Sequence, residues 1–113
     1  MKVIEKQPPR KYRVGLKQQV EISDCGEIFL AENEQITFIN PDERHYDFCA
    51  KEWGYYATPS VNGRLKDEGF KTALVRNSQG RVYVMVVDSK RLNEFQQYLD
   101  TERNEVIQWL DEL

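Results

Sequence analysis

Six consecutive apolar residues, Val82-Tyr83-Val84-Met85-Val86-Val87, set the tightest limit on what this chain can become. The run is rich in β-branched and aromatic side chains and too short for a buried helix, so it reads as a strand. Successive side chains of a strand face opposite ways, so both faces of this one are apolar. Such a strand is normally covered on both sides, which predicts that it is central in its sheet. Phe70–Arg76 precedes it, and Asn77-Ser78-Gln79-Gly80 joins the two with turn-forming residues. That arrangement predicts a hairpin.

The two-residue period recurs upstream. Tyr12, Val14, Leu16, Val20 and Ile22 alternate with a break at Gln18, as one strand or two with a bulge,. Ser23-Asp24-Cys25-Gly26 has the composition of a turn, Ile28-Phe29-Leu30 that of a short strand, and residues 31–34 that of a further turn. Gln35–Ile39 and Arg44–Ala50 flank Asn40-Pro41-Asp42-Glu43 and predict a second hairpin. Tyr46 and Phe48 share one face of it; His45, Asp47 and Cys49 share the other. Asn62-Gly63 is a strong hairpin-turn signal, and Pro59 puts its surroundings at a sheet edge or outside the sheet. Gln7-Pro8-Pro9-Arg10 prevents helix and predicts an extended basic arm over residues 1–11.

The period changes after Val87. Asp88 or Ser89 can cap a helix. Leu92, Phe95, Leu99, Glu102, Val106, Trp109 and Leu113 then recur three and four apart, an apolar stripe broken only by Glu102,. Residues 88–113 are therefore expected to be helical, as one helix or two. The whole predicts a single α+β domain over residues 1–113: a basic arm at 1–11, a β-rich part at 12–87, and a C-terminal amphipathic helix packed on one face. The sheet is expected to be an antiparallel meander, open or curled toward a barrel. At 113 residues and 40% hydrophobic content the chain can build one core,. The stripe also admits a second reading, as the seam of a homodimer.

Charge is segregated along the chain. Residues 1–20 hold six basic side chains and one acidic, and residues 21–50 hold eight acidic and one basic. The net charge of −3 excludes a uniformly basic nucleic-acid binder but leaves room for a basic patch,. Pairing of the basic arm with the acidic segment beside it is the simpler expectation, so nucleic acid is not a favoured partner. Cys25 and Cys49 lack the paired spacing of a zinc site, and without an export signal both are expected to be reduced. No apolar run approaches the roughly 20 residues that cross a bilayer. The expected location is therefore cytoplasmic, with no membrane contact.

Motifs for phosphate, dinucleotide, nucleophilic-serine and paired-histidine metal chemistry are all missing, so no cofactor or metal is expected. Histidine is the side-chain type that serves most readily as an acid or base, and the face of His45 also holds Asp47 and Cys49, an arrangement that in a small enzyme could activate a thiolate. Residues two apart on a strand sit about 6–7 Å apart along it, too far for a direct hydrogen bond. A solvated polar face is the simpler reading, and the expectation leans away from catalysis.

The segment from Lys51 to Lys66 is the most informative. It sets Trp53, Tyr55 and Tyr56 among Gly54, Pro59 and Gly63, with Arg64 and Lys66 close behind. Aromatic rings offer flat faces to bases or sugars; Arg and Lys offer donors to phosphate or carboxylate. Arg76 and Arg81 could extend the positive surface. The predicted binding residues are Trp53, Tyr55 and Tyr56 as stacking groups, Asn62 shaping a turn, and Arg64 and Lys66 pairing with negative charge. The expected function is a non-catalytic binding or accessory domain for an anionic or ring-containing ligand, such as a sugar-like small molecule, or for a partner protein. The competing expectation is that these aromatics fill the core.

Overall fold

Backbone pairing organises the chain into three separate antiparallel sheets. The computed structural model describes all 113 residues, with 51% of them in strands. It is a small α+β fold with one substantial helix near the C-terminus packed on a sheet, and it is not a closed barrel. The chain forms two compact units: Met1–Gly15 with Gln19–Thr58, and Leu16–Gln18 with Pro59–Leu113.

In the first unit, β1 (Lys2–Val14) pairs with β2 (Val20–Phe29) as a two-stranded ribbon. The predicted arm is extended, but as a paired strand. Pro8 and Pro9 are absorbed by a bulge between Glu5 and Arg10, where β1 holds three more residues than β2. The predicted turn at Ser23–Gly26 lies inside β2. A side chain at Gly26 would collide with the Ile4 carbonyl oxygen, so this glycine serves close strand approach and not a turn,.

Two exposed strands bury little, and a lone hairpin is marginal in water. Charge contributes to holding this one. Lys6 and Arg10 reach Asp24 at 2.7 and 3.2 Å, and Lys11 reaches Glu21 at 3.6 Å. The basic arm therefore does pair with the acidic segment that follows it. The hydrogen bond from Lys6 foremost, then that from Arg10, holds the Asp24 carboxyl below its ordinary 3.8.

The rest of the first unit is β3 (Gln35–Ile39), β4 (His45–Lys51) and β5 (Gly54–Ala57), in that order. The hairpin predicted across residues 40–44 is present. Asn40 closes it, its side-chain oxygen accepting the N–H groups of Asp42 and Arg44. Phe38, Tyr46 and Phe48 share one face; their rings contact at 6.0 Å (Phe38–Phe48) and 5.5 Å (Tyr46–Phe48). Burial among them pushes the Tyr46 phenol up.

In the second unit, β6 (Phe70–Arg76) lies between β7 (Val82–Asp88) and β8 (Glu105–Trp109). The predicted hairpin is present, yet its middle strand is β6 and the apolar run of β7 is an edge. The reason is β8, which joins β6 on the side away from β7. Nothing in the period of residues 88–113 announced that strand. Helix α2 (Leu92–Glu102) stops where Arg103 turns left-handed at φ 57°. Its carbonyls are closed by the Arg103 and Asn104 N–H groups, a normal helix ending,.

The expected apolar stripe is therefore shared between helix and strand. Leu99 on α2 packs on Ala73 and Val75 of β6, with Phe95, Val106 and Trp109 around them. Four residues of the stripe thus pack inside the unit, while Leu92 and Leu113 at its two ends stay exposed. The predicted hairpin at Asn62-Gly63 is likewise replaced by a tight turn into the short helix α1 (Arg64–Asp67), where Ser60 Oγ accepts the Arg64 N–H. Leu65 anchors α1 and is wholly buried.

The last turn of chain is fastened to β6 by one carboxylate. Asp111 is buried; its Oδ1 accepts the Thr72 N–H at 3.0 Å and its Oδ2 accepts Lys71 Nζ at 2.8 Å. Burial alone would raise its pKa, but the bonds from Lys71 and Thr72 outweigh that and hold it below 3.8. The same bond raises the Lys71 ammonium above 10.5. Stability from the carboxylate is thus present above pH 3.8 and is lost as pH falls through the lower folded value,. Lys71 contributes below pH 10.5 and ceases to as pH rises through its raised value,. Asp111→Asn is expected to lower the unfolding free energy by about 2–3 kcal/mol near neutrality. Urea denaturation at neutral and at strongly acid pH checks this: the gap between variant and wild type should close in acid.

Candidate ligand-stacking site

The turn between β4 and β5 decides where the aromatic residues go. Lys51 pairs with Gly54 across the hairpin, leaving Glu52 and Trp53 as its two-residue loop. Gly54 has φ 143°, a conformation that side chains resist, so glycine is required there,. The loop lifts Trp53 off the sheet end, and the next two residues alternate across β5. Tyr55 falls on the face with Ala50 and Phe48; Tyr56 falls on the opposite face, beside Cys49 and Gln35,.

All three rings face water. Trp53 is 71% exposed, Tyr55 69% and Tyr56 43%. The core-filling reading of this segment therefore fails for each of them. Trp53 and Tyr56 stack at 5.9 Å between ring centres and 28° between planes. Tyr55 belongs to the other side of the sheet and takes no part in that stack.

The face that carries Tyr56 is mostly polar near the aromatic pair, with the exposed Ile39 at its far end. Across it run Gln35 and Cys49 in one row, and Thr37 and Asp47 in the next. Thr37 donates its hydroxyl to Asp47 at 2.6 Å. Lys51 lies on this face at the hairpin end, its ammonium on the Asn33 side-chain oxygen at 2.5 Å. An amide oxygen leaves that positive charge unneutralised. The surface is thus a flat aromatic platform with hydrogen-bonding side chains and one cation on the same sheet face. Such a surface can stack a planar or sugar ring and bond its polar rim.

The other predicted residues lie in the second unit. Asn62 is in the turn before α1, and Arg64 and Lys66 are on α1. Arg64 pairs with Glu68 at 3.2 Å, and Lys66 donates to the Asp111 carbonyl at 3.3 Å. Both cations thus have partners within their own unit. Arg76 pairs with Glu105 at 3.4 Å.

His45, Asp47 and Cys49 do share a face, as the alternation predicts, without forming a catalytic cluster. His45 hydrogen-bonds neither of the others. The Cys49 thiol donates to the Ala50 carbonyl at 3.5 Å, and Asp47 holds Thr37. No group of three or more His, Cys, Asp or Glu side chains is placed to hold a metal ion. Sequence reasoning grouped Lys51 with the aromatic residues but missed Gln35 and Thr37 as their neighbours. Register across β3, β4 and β5 assembles them, and the two-residue loop at Glu52-Trp53 was the signal that could have fixed it.

These features define a small α+β protein with an exposed aromatic platform on one sheet face. No protein-family model matches the chain, and no curated protein or solved structure shows significant similarity to it. No helix is long and apolar enough to cross a membrane.

A tryptophan this exposed contributes little to folding. Trp53→Ala is expected to change the unfolding free energy by no more than about 0.5 kcal/mol. Urea denaturation followed by far-UV circular dichroism measures it; a large loss would return Trp53 to a structural role.

Proposed function

We propose that this chain is a non-catalytic binding domain whose ligand carries a planar or sugar ring that stacks on Trp53 and Tyr56. The observation that carries the reading is the Trp53–Tyr56 stack on the solvent side of a polar sheet face. Stacking on an exposed ring is sequence-tolerant and needs no deep cavity, because every base or pyranose presents a flat face. Gln35 and Lys51 supply the donors that would fix orientation. Lys51 adds a preference for a ring bearing negative charge, as in a nucleotide or an acidic sugar. Tyr55, on the opposite face, does not belong to this site. Arg64 and Lys66 have partners within the second unit and Asn62 lies in its turn before α1, so the reading rests on the first unit alone.

Fluorescence tests it directly. Trp109→Phe leaves Trp53 as the sole tryptophan. Titration of that variant with nucleotides, nucleotide sugars, neutral oligosaccharides and short RNAs should quench or shift its emission with one of these classes. Trp53→Ala in the wild-type background should then weaken binding about tenfold or more by calorimetry. Lys51→Ala should weaken binding of a charged ligand and leave a neutral one unaffected. Absence of any response across all four classes, in both fluorescence and thermal shift, would overturn the reading.

A further inference from the structure

Asn62-Gly63 takes no part in ring stacking, yet the pair has a chemistry of its own. The side-chain amide carbon of an asparagine can be reached by the main-chain nitrogen that follows it, and joining the two closes a cyclic imide. Glycine in the second position removes the side chain that would hinder this attack. Of Asn33, Asn40, Asn62, Asn77, Asn93 and Asn104, Asn62 alone precedes a glycine. The fold restrains most of the others. The Asn33 side-chain oxygen holds Lys51 Nζ. That of Asn40 holds the Asp42 and Arg44 N–H groups, and that of Asn77 holds those of Gln79 and Arg81. Asn40 also precedes Pro41, which has no N–H to lose,. Asn93 is fixed within helix α2. The Asn62 side chain is exposed and makes no hydrogen bond.

We propose that Asn62 is a self-modifying site, converting to aspartate and isoaspartate by deamidation. The Gly63 nitrogen loses its proton to solvent and attacks the Asn62 side-chain carbon. A carbon–nitrogen bond forms, the side-chain nitrogen takes up a proton and leaves as ammonia, and the imide remains. Water then opens the ring. Breaking the new bond gives aspartate at position 62; breaking the original peptide bond gives isoaspartate, with the main chain routed through the side chain.

The turn itself retains the reactive pair. A side chain at position 63 would collide with Ser60 Oγ, which accepts the Arg64 N–H at 3.2 Å. Glycine is therefore kept where it makes Asn62 labile. What restrains the attack is the Gly63 N–H bond to the Ser60 carbonyl at 3.2 Å. Helix α1 is four residues long and no side chain of its N-cap bonds its first turn, so that bond opens locally,. The two products differ in effect. Aspartate adds one exposed negative charge and leaves the main chain intact. Isoaspartate lengthens the main chain inside the turn, where the Gly63 and Leu65 N–H groups both bond the Ser60 carbonyl. Leu65 is wholly buried, so isoaspartate loosens the anchor of α1. The site lies in the second unit and is independent of the ring-stacking proposal.

Peptide mapping of the full chain, aged in neutral and in mildly alkaline buffer, tests it. Trypsin releases Asn62 within the peptide Glu52–Arg64. Its unmodified form should be lost before that of any peptide holding another asparagine, and sooner at the higher pH, because the attacking nitrogen must shed its proton. Two more acidic isomers should replace it. Asn62→Gln, whose longer side chain closes a ring far less readily, should lack the early acidic form on isoelectric focusing. Isolated isoaspartyl protein should unfold at lower urea than Asn62→Asp, which carries the same charge on an ordinary main chain. Asn62 intact at a time when another asparagine has converted overturns the proposal. So does an early acidic form that persists in Asn62→Gln. Equal urea midpoints for the isoaspartyl protein and Asn62→Asp overturn the loosening of α1.

Discussion

The second unit depends on the buried carboxylate of Asp111. A charge taken out of water is costly unless paired and hydrogen-bonded, and this one has both kinds of partner on β6,. The bond to the Thr72 N–H fixes position along the strand, while the bond to Lys71 neutralises charge. Because Asp111 follows β8 by two residues, holding it on β6 also holds β8 beside β6 in one register. Trp109 is then placed opposite Ala73, under the Lys71 ammonium at 4.7 Å and edge-on to Phe95 at 6.0 Å. Core, helix position and C-terminus thus converge on two adjacent residues of β6. The same arrangement occupies the β8 side of β6 and leaves β7 at the margin.

The first unit solves a different problem. Its ribbon has almost no interior, so side-chain pairing across the strands has to supplement backbone bonds. Asp24 is the hub, with Lys6 and Arg10 both on one of its oxygens. Arg10 also lies over the Tyr12 ring at 4.9 Å, so a single guanidinium ties the bulge to the strand beyond it,. Exposed ion pairs contribute little each. A cluster positioned at the one place where the ladder is interrupted matters more, because that is where the backbone supplies least.

Much of this was legible in residue order, and the failures have physical causes. Alternation and turn composition located the hairpins at 35–51 and 70–88, because local pattern and local pairing coincide there. The α+β class and the charge pairing of the first fifty residues followed for the same reason. Residues 105–109 were misread because Val106 and Trp109 fall on a helical period by coincidence; the left-handed turn at Arg103 comes from an arginine, not from the glycine that usually signals it,. The edge position of β7 was invisible because it depends on which strand β8 joins, a non-local choice. At the site, residue order left open whether the aromatics fill the core or face water, because burial is decided by the packing of whole elements. The opposite facing of Tyr55 and Tyr56 is simple alternation once β5 is known to be a strand. The polar neighbours Gln35 and Thr37 needed the register of three strands.

Trp53 and Trp109 show what the platform means energetically. Trp109 meets Phe95 edge-on and lies under Lys71, and its packing belongs to the fold. Trp53 has one partner, Tyr56, and otherwise meets water. A two-residue hairpin loop closed by Gly54 needs no large side chain at Trp53; a small polar residue would satisfy the same turn. Leaving an indole in solvent forfeits the burial that a tryptophan would otherwise contribute. The turn does not require it and the core does not use it, and that is the ground on which the ring-stacking proposal stands.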